Sequence, residues 1–348
     1  MQIEQIDKNM IVDSNITQED IVWYDILQPP FSVHGLIFDT ENDGFLRMPQ
    51  EIARTVSPSV NDLVRRTSGG RVRFRTDSDY IAIRAELRGH RLMPHMPLLA
   101  QSGFDLYRDN VFHRAFMPPR DLENDYCCER SVDAGEADYT INFPLYRGVR
   151  HLYVALRKGA KLLCATPYTH EKPVVFYGSS ITQGACAGRP GMSYVNTLCR
   201  NLDTDYINLG FSGSCKAESA MAQYLANLNM SVFVYDYDHN APSAEYLERT
   251  HKPLFDRVRS AHPDLPIILA SAPELPFDPP KFAARREVVL GTYRKARAAG
   301  DTNVYFVDGA TVLGDDWDNC LTDGIHPNDL GQYRMAKAFE QIFKEIWK

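Results

Sequence analysis

Two adjacent serines, Ser179 and Ser180, close an apolar run in the stretch VVFYGSSITQGA at residues 174–185. A serine hydroxyl becomes a useful nucleophile when a base takes its proton, and the base works best when a third group holds it in the right tautomer. Far along the chain, TDGIHPNDLG at 322–331 sets Asp323 and His326 three residues apart. One short turn can thus supply both the base and its orienter, which is more than a lone surface histidine offers. The serines also have a plainer reading, because a serine at the start of a helix commonly caps it.

Two further stretches carry polar groups that such chemistry needs. NLGFSGS at 208–214 contains Gly210 and Gly213, where backbone N–H groups can cradle an anion or the chain can simply turn. YDYDHNAPSAE at 235–245 contains Asn240, whose amide can donate into a crevice or form an Asx-turn ahead of a helix. Asp236, Asp238 and His239 in the same stretch are metal-ligand types, but alternate residues at a strand end are usually solvated or hydrogen-bonded, so no metal is expected there. The seven cysteines are odd in number and show no C-x-x-C pair. They read as reduced packing residues, with Cys186 and Cys215 near the loops of interest.

These stretches need strands and helices to position them. Residues 1–165 hold short alternating runs, RVRFRT (71–76), YIAIRAEL (80–87), DYTINFPL (138–145) and HLYVALRK (151–158). Alternation broken by Gly, Pro, Asn and Asp predicts half-buried antiparallel strands, and hence a β-sandwich of jelly-roll type. After a linker at 166–173 the rhythm changes. Across residues 172–348, apolar strand-like runs at 174–177, 205–209, 232–235, 266–269 and 303–307 alternate with amphipathic segments such as 244–260 and 281–299, and a closing helix begins after Pro327. Strand alternating with helix predicts a parallel sheet covered on both faces, giving an α/β domain whose ligands bind outside the carboxyl ends of the strands.

Composition narrows the partners. The 348 residues are 44% hydrophobic, with a formal net charge of −7. That balance, without a long basic run, argues against nucleic acid or an anionic membrane as the main partner. The N-terminal MQIEQIDKNMIVDSN has no apolar core of the signal-peptide kind, and no apolar run approaches a membrane span, so a cytoplasmic protein is expected. Trp23, Tyr24 and Tyr107 are aromatic residues that could stack on a sugar or fill a core.

The blocks GSSIT, NLGFSG, Asn240 after a strand, and DGIHPN, in that order, resemble the four blocks of the SGNH (GDSL-type) hydrolase superfamily over about residues 172–348. Upstream, SGFDLYRD at 102–109 resembles the G-x-D-L-Y signature of a β-rich domain that precedes some bacterial SGNH hydrolases. The resemblance implies a three-layer parallel-sheet catalytic domain and a serine esterase mechanism without metal or cofactor. By it Ser180 is the nucleophile, His326 the base and then acid, and Asp323 the orienting carboxylate. The oxyanion hole is implied to be the backbone N–H groups of Ser180 and Gly213 and the side-chain amide of Asn240. The substrate implied is a small-molecule or carbohydrate ester, with acetyl as the acyl group. Alternatives are a lipase or lysophospholipase-like acyl hydrolase, or a catalytically inactive glycan-binding protein. Two departures stand out: Ser179 replaces the usual Asp of G-D-S, and DYDHNA lacks the flanking Gly and Asp of its block, so His239 or Asp238 could take the corner given to Asn240.

Overall fold

Alternation in RVRFRT and YIAIRAEL becomes two antiparallel strands, Arg71–Thr76 and Tyr80–Leu87, in the computed structural model. The model describes residues 15–89, 92–273 and 279–348. The N-terminal stretch read for a signal peptide therefore lies, through residue 14, outside the described residues. One antiparallel sheet runs in the order Ile21–Asp25, Val149–Arg157, Tyr80–Leu87, Asp125–Ser131. The other runs Leu162–Leu163, Arg71–Thr76, Ala137–Asn142, Phe104–Arg108, Val111–Phe116. Ile81, Ile83 and Val154 from the first and Val72, Phe74 and Ile141 from the second share one apolar core.

The polar half of the alternation is not simply solvated. Arg71 Nε donates to Tyr168 Oη at 2.8 Å, and the Arg73 guanidinium lies 3.8 Å over the Tyr168 ring. Both arginines are buried because their charges are stacked and hydrogen-bonded. The GFDLY stretch forms the strand Phe104–Arg108. Asp105 Oδ1 accepts from Asn142 Nδ2 at 2.9 Å, while its Oδ2 accepts from Arg189 Nη1 at 2.7 Å and from the Gly191 N–H at 2.8 Å. Leu106 points into the core, and the buried Tyr107 Oη donates to the Gly191 carbonyl at 3.3 Å. Tyr107 is thus a packing and anchoring residue, as is Tyr24, which packs on the core beside Phe31. Trp23 packs on the small cluster of Tyr80, Ala82 and Ala155.

A second unit is built on a parallel sheet in the order Thr204–Gly210, His170–Gly178, Val232–Asp236, Ile267–Ala270, Val304–Val307. In chain order this is 2-1-3-4-5, so the direction of winding switches between His170–Gly178 and Val232–Asp236, where such sheets open a ligand crevice. Side chains alternate across the strand His170–Gly178. Val174 and Phe176 pack with Tyr194, Leu198, Met335 and Phe339 of the helices Tyr194–Asn201 and Asp329–Ile346. On another strand of the sheet, Tyr235 stacks on His251 of the helix Ala244–Ala261, with ring centroids 4.4 Å apart. Among the described residues no helix is long and apolar enough to cross a membrane.

The chain divides into two compact units whose boundaries are not a single cut. One holds the described residues up to Arg47 with Arg65–Tyr168 and Gly188–Gly191; the other holds Met48–Val64, Thr169–Ala187 and the described residues from Met192 onward. The division into 1–165 and 172–348 therefore overlooks two short crossings. One of them contains the helices Gln50–Val56 and Pro58–Leu63, which the alternating pattern around them hides. Ser57 caps the second, its side chain accepting the Val60 N–H at 3.2 Å, with Pro58 at the first helical position. That Ser-Pro pair was the available sequence signal.

Candidate active site

Gly178 ends the strand His170–Gly178, and a Cβ there would overlap Thr182 Oγ1 and the Asp236 carbonyl. Glycine therefore lets the chain turn at once from the strand into the short helix Ser180–Gln183. The helix begins with a division of labour between the serines. Ser179 Oγ accepts the Ile181 N–H at 3.2 Å and is the cap. Ser180 Oγ lies 2.9 Å from His326 Nε2.

From His326 the chain of contacts continues. Its Nδ1 is 2.8 Å from Asp323 Oδ2, and the other carboxylate oxygen accepts the His326 N–H at 2.8 Å and the Ile325 N–H at 3.1 Å. Burial works to raise the Asp323 carboxyl, but these hydrogen bonds and the adjacent imidazole outweigh it and hold the group at about 2. Asp323 is thus ionised at any working pH. Asn328 caps the closing helix by accepting the Leu330 and Gly331 N–H groups at 3.0 and 3.2 Å, which fixes the end of the turn carrying Asp323 and His326.

The two remaining expected donors sit on loops that contact each other, one of them tied to the helix Ser180–Gln183. Gln183 Oε1 accepts the Ser212 N–H at 3.0 Å, which holds the glycine loop against that helix. Gly213, at φ 67°, has open space where a Cβ would stand. Asn240 Oδ1 accepts the Cys215 N–H at 3.3 Å, and this orients the amide. Asn240 is not the cap of the following helix: Ser243 is, with its side chain accepting the Tyr246 N–H at 3.2 Å. The reading of Asn240 as a turn ahead of a helix gives way to a residue in a 3-10 turn, Asp238–Asn240, with a loop contact of its own.

Other residues of the same stretch take different places. Asp238 accepts the Ala272 N–H with both carboxylate oxygens, at 3.1 and 2.9 Å, so it anchors a loop. Asp236 Oδ2 accepts from Thr182 Oγ1 of the helix Ser180–Gln183 at 3.1 Å and from Tyr194 Oη at 3.0 Å. Burial pushes Asp236 up to about 6 and Asp238 up to about 7. His239 has its Nδ1 buried without a hydrogen-bond partner among the described residues. Burial, reinforced by the charges of His326, Arg285 and Lys281, pushes its imidazole down to about 4, so it is neutral near pH 7. Thr182 and Tyr194 have no signature in the sequence, and Asp236, singled out there only as a metal-ligand type, is the carboxylate that ends the otherwise apolar VFVYD.

Cys186 lies two residues beyond Gly184, the left-handed C-cap of the helix Ser180–Gln183, and itself has φ 63°. Burial, with the Asp323 charge adding to it, pushes the thiol up to about 11.

Comparison with known proteins places the chain among relatives. Residues 171–344 match the GDSL-like lipase/acylhydrolase family, and residues 21–162 match the GxDLY N-terminal region of SGNH-hydrolase-type esterases. Among solved structures, a GDSL-like lipase assigned in Bacteroides ovatus aligns at a TM-score of 0.84 with 26% identity, covering 94% of this chain and 98% of that one. A salicylyl-acyltransferase from a tetracycline biosynthetic pathway aligns at 0.79 with 22% identity, over 95% of this chain and 98% of that one. A family two carbohydrate esterase from Clostridium thermocellum aligns at 0.61 with 17% identity, over 91% and 99%. No curated protein matched the sequence.

Proposed function

Because the chain belongs to the GDSL-like lipase/acylhydrolase family, we propose that it is a serine esterase that removes a small acyl group, acetyl first of all, from an oxygen of a carbohydrate-like substrate. The observation that carries the reading is the unbroken run from Ser180 Oγ to His326 Nε2 at 2.9 Å and from His326 Nδ1 to Asp323 Oδ2 at 2.8 Å. In this reading His326 takes the Ser180 proton as Oγ attacks the ester carbonyl carbon. Asp323, ionised throughout, stabilises the imidazolium that results. The carbonyl oxygen becomes an oxyanion, received by the backbone N–H groups of Ser180 and Gly213 and by the Asn240 amide. His326 then gives its proton to the leaving alkoxide, and the acyl group stays on Ser180. Water, deprotonated by His326, releases the acid and restores the serine.

The acetyl and carbohydrate parts of the proposal rest on likeness to the family two carbohydrate esterases. A panel of acetylated sugars and nitrophenyl esters of increasing acyl length, run on the wild type and on Ser180→Ala, tests them. The expected result is turnover that is best with acetyl and falls as the chain lengthens. Ser180→Ala is expected to lose activity on the order of 10⁶-fold, the scale seen when a nucleophilic serine is removed. Best turnover on long acyl chains would favour the lipase or lysophospholipase-like alternative. Glycan binding without any turnover would favour the inactive binding protein.

A further inference from the structure

We propose that Cys186, Asp323 and His326 form a binding site for a thiophilic divalent cation, zinc above others, and that the ion switches the esterase off. The regulatory half of this inference rests on the role proposed above for His326; the binding half does not. One ligand atom from each of the three residues lies within 4.8 Å of the others. They come from separate stretches: Cys186 from the turn after the nucleophile helix, Asp323 and His326 from the turn before the closing helix. The left-handed φ of 63° at Cys186 is uncommon for a residue with a side chain, and the thiol is held beside the Thr322–Asp323 turn. The Asp323 and His326 side chains keep 31% and 18% of their exposure, so an ion can reach the group from solvent.

The donor set suits zinc. Sulfur, imidazole nitrogen and carboxylate oxygen are the ligands it takes. A thiolate also discriminates against magnesium and calcium, which prefer oxygen alone. With the thiolate and the carboxylate both charged, the site balances a dication. The binding step conserves protons as follows. The Cys186 thiol loses its proton to solvent as the Zn–S bond forms. Zinc takes His326 Nδ1 in place of the proton that Nδ1 shares with Asp323, and that proton is carried on Nε2. Nε2 then faces Ser180 Oγ, 2.9 Å away, as a donor instead of an acceptor, and the base that activates the serine is gone.

The test uses the full chain without an affinity tag. Cobalt(II) serves as a spectroscopic stand-in, because a Co–thiolate bond gives a charge-transfer band in the near ultraviolet that oxygen and nitrogen ligands do not. Wild type is expected to show the band, to be inhibited by zinc, and to recover on adding a chelator. Cys186→Ser keeps the size of the side chain and lacks the soft donor. It is expected to hydrolyse esters as wild type does without metal, to show no band, and to need more zinc by a factor beyond the roughly 10–100-fold that an outer-shell partner is worth. Cys186→Ala gives the same readout should the serine form fold poorly. Zinc inhibition of either variant at the wild-type concentration, or a wild-type chain without the Co–thiolate band, overturns the proposal. A wild-type chain that shows the band but hydrolyses no ester instead refutes the esterase reading and leaves the metal site standing.

Discussion

Ser179 and Ser180 are neighbours in sequence with opposite tasks. One is used up as a helix cap, and the other meets the imidazole at hydrogen-bond distance. A serine at that place reads as a cap or a nucleophile; Ser179 is the cap, a task that serine shares with the aspartate usual in this block, and Ser180 is left for the role proposed above. Asp323 and His326 were legible from their spacing, since a three-residue turn leaves few other geometries. Asn240 was legible only as a residue type, because its block lacks the flanking glycine and aspartate, and its orientation comes from Cys215, a contact no spacing reveals. If the Asn240 amide donates to the oxyanion, Asn240→Ala lowers kcat by roughly a hundred- to a thousandfold with little change in KM. Its stability falls only by the lost Cys215 N–H contact, about 1 kcal/mol, because Ser243 and not Asn240 caps the following helix. A stable variant with full kcat would send the search for the third donor to the neutral His239 beside it.

At the level of elements, the helix Ser180–Gln183 is only four residues long and owes its position to what lies under it. Asp236 receives Thr182 and Tyr194 there, and burial raises its pKa from 3.8 to about 6. The unfolded chain releases that proton near 3.8, while the folded chain holds it until about 6. The group therefore favours folding in full below pH 3.8, and this contribution is lost as pH rises to about 6, after which it is constant. Asp236→Asn keeps an oxygen for both donors and has no proton to lose. Urea unfolding across that interval is expected to show wild type losing stability relative to the variant as pH rises; parallel curves for the two would exclude Asp236 as the titrating group. The parallel strands were readable because a strand covered on both faces is a short apolar run. The helices Gln50–Val56 and Pro58–Leu63 were not, since six or seven residues of mixed character are too few to display a helical period.

Taken as a whole, the chain carries its two textures where the sequence put them: two antiparallel sheets sharing one core, and a 2-1-3-4-5 parallel sheet with helices packed on it. Its segment membership was beyond reach of pattern reading, because it depends on contacts such as those of buried Asp105 with Arg189 and Gly191, more than eighty residues away. The role of the G-x-D-L-Y aspartate as an acceptor for that segment is a tertiary fact with no local signature. Across all 348 residues and their many serines, one hydroxyl, that of Ser180, is the proposed nucleophile. The most direct measurement is the site of covalent labelling by a fluorophosphonate, read by intact mass and peptide mapping on wild type, Ser179→Ala and Ser180→Ala. The account predicts a single adduct on Ser180 in wild type, the same adduct in Ser179→Ala, and none in Ser180→Ala. An adduct that persists in Ser180→Ala, or that maps to Ser179, would contradict it.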